Sequence, residues 1–264
     1  MTSWWAFPPS TREVQCDEKW AFVAKKQKHC RDDEPADAQR GDNWDHVAYD
    51  PEQRLVLSVV PGKRTVENTA LLVEDFKART GDRLLDLITT DDYAPYRPAI
   101  LNAYGATVVP PRTGRAGRPR EAYQAPPPDL HYATVHKTRR KGRVVKIDLR
   151  VVFGDPAAVQ AALERSTVSH TINTAFLERH NATDRHRNAR KTRKSYRFSK
   201  DWDTHNAATY FTMYSYNFCW PVRTLRVRGD DSRWQPRSPA MMAGLTDHVW
   251  SLTEWLTFPT VQIE

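Results

Sequence analysis

The sequence predicts an α/β domain in which helices pack on a sheet, and three observations support this fold class. Residues 14–25, 44–49 and 54–60 are rich in β-branched and aromatic side chains, which is typical of strands. Residues 65–79 carry apolar side chains three and four positions apart, the spacing of one helix face. Residues 84–90 form a nearly continuous apolar run, as expected for a strand covered on both faces. Strands and helices in this order predict a layered α/β or α+β domain.

The second half of the chain continues the alternation of strands and helices. A short helix is expected at residues 96–104, and residues 132–153 have the pattern of a β-hairpin with its turn near Gly142. Residues 155–165 predict a further helix. A long helix is expected from residue 172 to about residue 193, and a buried, aromatic-rich helix from residue 199 onward.

The composition indicates a soluble globular protein rather than a membrane protein or a disordered chain. Of 264 residues, 39% are hydrophobic and 27% charged, and the mean hydropathy is −0.71. We see no run approaching the roughly 18 apolar residues of a membrane span, and the first residues lack the pattern of a signal peptide. The three cysteines lie far apart, which argues against a zinc ribbon or a disulfide framework. A reducing cytoplasm is the expected compartment.

The basic residues are concentrated in the middle third of the chain. Residues 1–110 hold 14 Lys and Arg against 18 Asp and Glu, residues 111–200 hold 21 against 7, and residues 201–264 hold 5 against 7, which together give the net charge of +8. Such a concentration favours a polyanion partner, most often nucleic acid. The alternative is a solvated basic face without a partner.

Three acidic residues are candidates for a metal site. Asp17 lies inside an apolar strand, where an isolated carboxylate needs a compensating partner. Asp91 stands at the end of the apolar strand over residues 84–90, and Glu178 lies on the predicted long helix. If the first and fourth strands are neighbours, the two aspartates lie side by side and a helix can bring Glu178 to them. Converging carboxylates repel one another unless divalent cations such as Mg²⁺ or Mn²⁺ neutralise them.

The sequences around these residues resemble a known family. The segments QCDEKWAFV around Asp17, ITTDDYAPY around Asp91 and FLERHNATDRHRNARKTRKSYRFSK around Glu178 together resemble the catalytic domain of insertion-sequence-one-type DDE transposases. That family belongs to the retroviral-integrase or RNase H-like superfamily. The most specific element is the helix with Glu178-Arg179-His180-Asn181, followed by a basic run and an apolar helix that ends in aromatic residues.

The resemblance implies a fold and a domain organisation. It implies an RNase H-like α/β fold, with a five-stranded mixed sheet flanked by helices on both faces. A basic, proline-rich insertion at residues 110–129 would precede the β-hairpin. Residues 1–12 would form an N-terminal tail, residues 13–220 the catalytic domain and residues 221–264 a C-terminal extension.

The resemblance also implies an activity and a metal site. Asp17, Asp91 and Glu178 would be the catalytic residues and the ligands of two Mg²⁺ ions, for which Mn²⁺ could substitute. The reaction would be cleavage of phosphodiester bonds at transposon ends, followed by attack of the freed 3′ hydroxyl on target DNA. A shift of one position would exchange Asp91 for Asp92, so the second ligand stays open between them.

The remaining candidate residues would contact DNA. Arg179, His180 and Asn181 could contact phosphates or orient Glu178. The basic run after Glu178 is expected to lie along the DNA backbone, and the arm RTGRAGRPR resembles a minor-groove AT-hook or is a flexible basic linker. The predicted DNA-binding residues are Arg179, His180, Asn181, Arg185, Arg187, Arg190, Lys191, Arg193, Lys194, Arg197, Arg115, Arg118 and Arg120.

Partners and alternatives complete the prediction. Double-stranded DNA, as transposon ends and as target, is the expected substrate. The expected assembly is a homo-oligomer in a synaptic complex. We expect it to act at a prokaryotic nucleoid, with no membrane as partner. Few residues precede the first strand, so a zinc and helix-turn-helix protein from an upstream frame is a further expected partner. Two alternatives stay open: a hydrolytic RNase H-like nuclease or resolvase, and a transposase-derived DNA-binding protein without catalytic activity.

Overall fold

A mixed six-stranded β-sheet is the centre of the fold in the computed structural model, which describes residues 10–111, 120–192, 194–230 and 232–258. The strands are β1 (Glu13–Val23), β2 (Gly41–Asp50), β3 (Leu55–Gly62), β4 (Leu87–Asp91), β5 (Ala106–Val108), β6 (Tyr123–Ala125), β7 (Tyr132–Arg140), β8 (Arg143–Phe153), β9 (Val227–Arg228) and β10 (Trp234–Gln235). The helices are α1 (Val66–Arg79), α2 (Tyr96–Tyr104), α3 (Pro156–Arg165), α4 (Ala175–Arg187), α5 (Trp202–Cys219), α6 (Pro239–Met242) and α7 (Leu252–Thr257). The α/β fold class predicted from the sequence is therefore confirmed.

The sheet has the strand order β3-β2-β1-β4-β7-β8. Strands β1, β2 and β3 form an antiparallel meander, and β4 pairs in parallel with both β1 and β7. Parallel neighbours need a crossover, which the chain makes through α1 between β3 and β4. This topology brings the carboxyl end of β4 to the middle of β1 on one side and to the middle of β7 on the other.

The predicted number of five strands is wrong. The hairpin over residues 132–153 adds two strands to the sheet, because β7 pairs with β4 on one side and with β8 along its whole length on the other. Its turn is Lys141-Gly142, with φ of 50° and 77°, so Gly142 adopts the left-handed conformation that a glycine tolerates without strain.

Helices cover both faces of the sheet. On one face, α1 and α2 pack on β1, β3 and β4 around Phe76, Ile88 and Ile100. On the other face, α4 and α5 pack on β2 and β3, and α3 packs on β4 and β7 around Leu87. Burial of these apolar side chains is the main stabilising term of the sheet, at roughly 25 cal/mol for each Å² of apolar surface removed from water.

Local sequence explains where two of the predicted helices begin. Thr65 caps α1 by accepting a hydrogen bond of 3.2 Å from the backbone N–H of Asn68. Asp155 caps α3 in the same way through Ala157, and Pro156 occupies the first helical position. Among the described residues, no helix is long and apolar enough to cross a bilayer.

The long helix predicted from residue 172 to about 193 is shorter. Helix α4 ends at Arg187, because Asn188 has an extended backbone conformation and its side chain caps a following 3-10 turn over Ala189–Lys191. The next helix, α5, begins at Trp202 rather than at residue 199, with Asp201 as its N-cap. The basic run therefore does not form one continuous helical face.

The proline-rich insertion is described only in part. Residues 112–119 lie outside the described residues, and the flanking strands β5 and β6 pair with each other in a small two-stranded sheet. The C-terminal segment packs on α5, where Phe218 contacts Ala240 and Trp250 in a separate apolar cluster.

Candidate functional site

Strands β1 and β4 are neighbours in the sheet. The prediction from the sequence required this adjacency for Asp17 and Asp91 to lie side by side. They pair in parallel, with Cys16 opposite Thr90 as the last paired residues. Asp17 and Asp91 are the next residues along each strand, so both carboxylates leave the sheet at the same place. The two aspartates that lie 74 positions apart in the chain (17 and 91) are thus adjacent in the fold.

A cluster of three carboxylates lies at this edge. Asp17, Glu18 and Asp91 each offer an oxygen atom, and these atoms all lie within 4.8 Å of one another. Oε1 of Glu18 is buried, and the hydroxyl of Tyr96 interacts with the Glu18 carboxylate. Oxygen ligands at this spacing could hold a hard divalent cation.

Glu18 was not among the residues predicted from the sequence. Successive side chains of a strand point to opposite faces, which argues against placing Asp17 and Glu18 in one site. Asp91 is the last residue of β4. The carboxylates of both Asp17 and Glu18 nevertheless come close to the Asp91 carboxylate. The adjacency of the two acidic residues Asp17 and Glu18 in the first strand was the available signal.

Burial and mutual repulsion raise the pKa values in this cluster. Removal from water, followed by the charge of Asp91, raises the pKa of Asp17 to about 6 and that of Glu18 to about 7. Burial also raises the pKa of Asp91 above its ordinary value. The carboxylates carry more negative charge than their surroundings neutralise, and a bound cation would relieve this excess.

One arginine partly offsets the negative charge. Nη2 of Arg64 donates to Oε2 of Glu18 at 2.8 Å and lies 3.9 Å from Oδ2 of Asp91. The guanidinium also stacks over Tyr93 at 3.8 Å and over Trp44 at 5.0 Å, which holds it in place.

Glu178 lies in the same cleft, but its carboxylate is not one of the three that approach within 4.8 Å. Its Oε1 accepts a hydrogen bond of 2.9 Å from Oγ1 of Thr174 and forms an ion pair with Lys137. The side chain is 48% exposed, and its charge contributes to the raised pKa of Asp17. The structure therefore brings Asp17 and Asp91 together and places Glu178 on the wall beside them.

Asp91 and Asp92 lie in different surroundings. Asp91 belongs to the carboxylate cluster, whereas Oδ2 of Asp92 lies 3.0 Å from Nδ1 of His136 and 4.0 Å from Arg150. Both residues line the cleft, but Asp92 points toward the β7–β8 hairpin.

The cleft that contains these groups is large and polar. We call it the metal cleft; its volume is about 740 Å³ and its walls carry acidic and basic side chains together. The residues that line it are Asp17, Glu18, Lys19, Trp20, Trp44, Arg64, Asp91, Asp92, Tyr93, Val135, His136, Lys137, Arg139, Glu178, Asn181 and Arg185.

Two residues of the Glu178 motif have structural contacts. Nδ2 of Asn181 donates to Oδ2 of Asp17 at 3.0 Å, so Asn181 orients an aspartate rather than a phosphate. His180 is buried between Tyr49 and Tyr216, and burial lowers its pKa to about 3. The expectation that His180 contacts DNA is therefore corrected, because its ring is neutral and enclosed in the core. Arg179 is exposed.

The basic run is divided between the surface and the interior. Lys191 is buried and forms an ion pair with Asp45, so the expectation that it contacts DNA is also corrected. Arg187 is half-buried against Trp220, at 4.6 Å from its ring. Arg185 lines the metal cleft. The predicted residues that lie exposed are Arg179, Arg190, Lys194, Arg197 and Arg120. Arg193, Arg115 and Arg118 lie outside the described residues.

Comparison with protein-family models and with curated proteins identified no family for this chain. No protein-family model matches the chain, and no curated protein matches it. The functional argument therefore rests on the site itself.

Proposed function

We propose that this chain is the catalytic subunit of a DDE-type DNA transposase, which cleaves phosphodiester bonds and joins a 3′ hydroxyl to target DNA. The observation that carries the proposal is that Asp17, in the middle of β1, and Asp91, at the end of β4, lie side by side just past the last paired residues of these parallel strands, with Glu178 in the same basic cleft. This is the arrangement implied by the sequence segments around these three residues.

The fold supports the same proposal. The strand order β3-β2-β1-β4-β7, with helices on both faces, agrees with an RNase H-like sheet in which the first and fourth strands pair. Strand β8 is then an addition at the edge. We therefore propose an RNase H-like fold for residues 13–220.

The metal cleft has the donor chemistry for Mg²⁺ or Mn²⁺. Asp17 and Asp91 would be the principal ligands, with Glu18 in the same cluster and Glu178 on the adjoining wall. Two such ions, when bound, stabilise the charges on the attacking and leaving oxygens of a phosphodiester. Asn181 holds the carboxylate of Asp17, and Lys137 and Thr174 hold that of Glu178.

The basic side chains of the cleft would bind the substrate backbone. Lys137, Arg139 and Arg185 line the same walls as the carboxylates, so phosphates near the acidic cluster would meet cations on the rim. Such contacts position DNA without reading its sequence. We propose that transposon-end recognition is supplied by a zinc and helix-turn-helix partner, and that the complex acts at the prokaryotic nucleoid in the cytoplasm.

The assembly is proposed to be a homo-oligomer. Edge strand β8 exposes a row of apolar side chains on alternate positions, namely Val145, Ile147 and Leu149. Exposed apolar rows on edge strands favour association with another chain.

A plasmid assay tests the proposed activity. We expect the purified protein to nick supercoiled plasmid in Mg²⁺ or Mn²⁺, and Asp17→Asn or Glu178→Gln to reduce the rate on the order of 100-fold or more. The matched control is Glu74→Gln, an exposed acidic residue on α1 outside the cleft, which should retain the parent rate. Nicking that survives Asp17→Asn would refute the metal-site assignment.

A second assay separates transposition from the alternatives. Transfer of a labelled 3′-OH oligonucleotide into plasmid indicates a transposase, whereas nicking without transfer indicates a hydrolytic nuclease. Salt-sensitive DNA binding with neither reaction indicates a binding protein that has lost catalysis.

A further inference from the structure

A second cleft adjoins the metal cleft, and its walls are aromatic rather than acidic. We call it the aromatic groove; its volume is about 570 Å³, and Trp20 lines both clefts. On β1, Trp20 lies three residues beyond Asp17, which at about 3.3 Å per residue is a distance of about 10 Å. That length corresponds to about three stacked nucleotides at 3.4 Å each.

Three aromatic rings form one wall of the groove. The ring centroids of Trp20 and Phe22 are 5.8 Å apart, and those of Phe22 and Phe198 are 4.8 Å apart. Trp20 and Phe22 share a face of β1, because they are two residues apart on a strand. Phe198 is held beside them, since Ala24 donates a backbone hydrogen bond of 2.7 Å to Ser199. The wall is therefore built by tertiary contacts rather than by a single flexible loop.

The opening of the groove is basic. Lys26, Arg190 and Lys194 line it and are exposed, and the described residues that line it include no Asp or Glu. Lys191 also lines the groove, but its charge is balanced by Asp45. Tyr196 stands at the opening and is 97% exposed. An exposed tyrosine beside cations is available to a ligand with a flat ring and negative charges.

We propose that the aromatic groove binds unpaired nucleotides of the same strand whose phosphodiester lies in the metal cleft. An unpaired base can stack on an aromatic ring while its phosphates contact Lys26, Arg190 and Lys194. Bases inside a duplex are stacked on each other and cannot offer their faces, so the groove selects single-stranded or unwound substrate. This inference rests on the proposed function, because that function brings a nucleic acid strand to Asp17.

Metal-free binding assays test the groove separately from catalysis. Fluorescence anisotropy in EDTA would compare an oligothymidylate of about 12 nucleotides with a duplex of the same length. We expect Tyr196→Ala and Phe22→Leu to weaken single-strand binding on the order of tenfold, with duplex binding unchanged within about twofold. Since Tyr196 is almost fully exposed, Tyr196→Ala should fold normally. The control is Trp234→Ala, an exposed aromatic residue on β10 that lines neither cleft.

An abasic oligonucleotide isolates the stacking contribution. It keeps the phosphates and lacks the bases, so Tyr196→Ala should have no effect on its binding if the tyrosine stacks on a base. An equal loss with the abasic strand, or an equal loss with duplex, would overturn the inference. Equal binding of an oligoglutamate of the same charge would also overturn it, because the groove would then be only a basic surface.

The two proposals can fail independently in these experiments. Plasmid nicking with normal single-strand binding by Tyr196→Ala and Phe22→Leu would leave the proposed function intact and refute the groove. A base-dependent loss of single-strand binding without any metal-dependent nicking would support the groove as a nucleotide site and refute the transposase activity.

Discussion

At the scale of single residues, the most informative feature is the unfavourable charge of the carboxylate cluster. Burial raises the pKa of Asp17 from 3.8 to about 6 and that of Glu18 from 4.5 to about 7. For Asp17 this corresponds to at most about 3 kcal/mol of destabilisation when the group is ionised. Such a cost at a cleft is typical of a functional site rather than of a stabilising ion pair.

The first prediction concerns Asp17→Asn in the absence of metal. Because its pKa is raised, Asp17 binds its proton more tightly in the folded state than in the unfolded state. The contribution of Asp17 to the free energy of unfolding therefore falls as pH rises from about 4 to about 7. We expect Asp17→Asn to match the parent near pH 4 and to exceed it in melting temperature by on the order of 2–6 °C at pH 8. Thermal unfolding in EDTA measures this difference.

A bound divalent metal ion should make the parent protein melt at a higher temperature than Asp17→Asn. Mn²⁺ binds the folded state, so it should raise the melting temperature of the parent and of Glu74→Gln at pH 8 and have little effect on Asp17→Asn. The stabilisation should decline below about pH 6, where Asp17 and Glu18 are protonated. Equal stabilisation of parent and Asp17→Asn by Mn²⁺ would contradict the assignment of Asp17 as a ligand.

At the scale of elements, a buried ionic network attaches α4 to the sheet. Lys19 on β1 forms ion pairs with Asp184 on α4 and with Asp45 on β2, and Asp45 also pairs with Lys191 after α4. All four side chains are buried. Although burial opposes it, the charge of Lys19 keeps the pKa of Asp184 below its ordinary value. The network positions the helix that carries Glu178 and Asn181.

The second prediction is the cost of breaking this network. Asp184→Ala leaves two buried ammonium groups against one carboxylate, so we expect a loss of about 3–5 kcal/mol in the free energy of unfolding. The double variant Lys19→Met with Asp184→Leu leaves the pair of Asp45 and Lys191 balanced and should recover part of the loss. Urea denaturation of both variants measures these changes, with Glu74→Gln as the control. A double variant that is less stable than Asp184→Ala would disprove the charge-balance argument.

At the scale of the whole molecule, acidic and basic residues are separated along the sequence but mixed in the folded cleft. The middle third of the chain carries the basic excess, yet the metal cleft mixes Asp17 and Asp91 with cations from other segments. Arg64 comes from the acidic first third, and Lys137 and Arg139 come from the hairpin strand β7. The cleft is therefore built from acidic and basic residues of both segments of the chain.

The third prediction uses the salt dependence of the DNA binding that the proposed function requires. Arg139 is exposed on the wall of the metal cleft, and a phosphate contact there should release counterions. We expect Arg139→Gln to weaken duplex binding and to lower the slope of log K against log salt by about one. The control is Arg165→Gln, whose guanidinium pairs with Asp86 just before β4, away from the carboxyl-end site. Equal slopes for Arg139→Gln and the parent would exclude Arg139 from the phosphate contacts.

Several features of this protein could be predicted from the sequence because they depend on neighbours in the chain. Apolar spacing and capping residues located α1, α2 and α3 closely, and the strand patterns located β1 to β4 and the hairpin. The positions of Asp17 inside the first strand and of Asp91 at the end of the fourth also followed from local patterns, and their proximity needed only the adjacency of the two strands.

The tertiary structure alone decided which polar groups are buried and what they contact. The sequence could not separate Lys191 and His180, which are enclosed, from Arg190 and Arg179, which are exposed. For Glu18 it offered only the adjacency to Asp17, and it gave no basis for joining Phe198 to Trp20 and Phe22. These relations join residues that lie far apart in the chain or point to different faces of one strand. Because burial and charge pairing depend on distances that exist only after the sheet and helices pack, no local pattern encodes them.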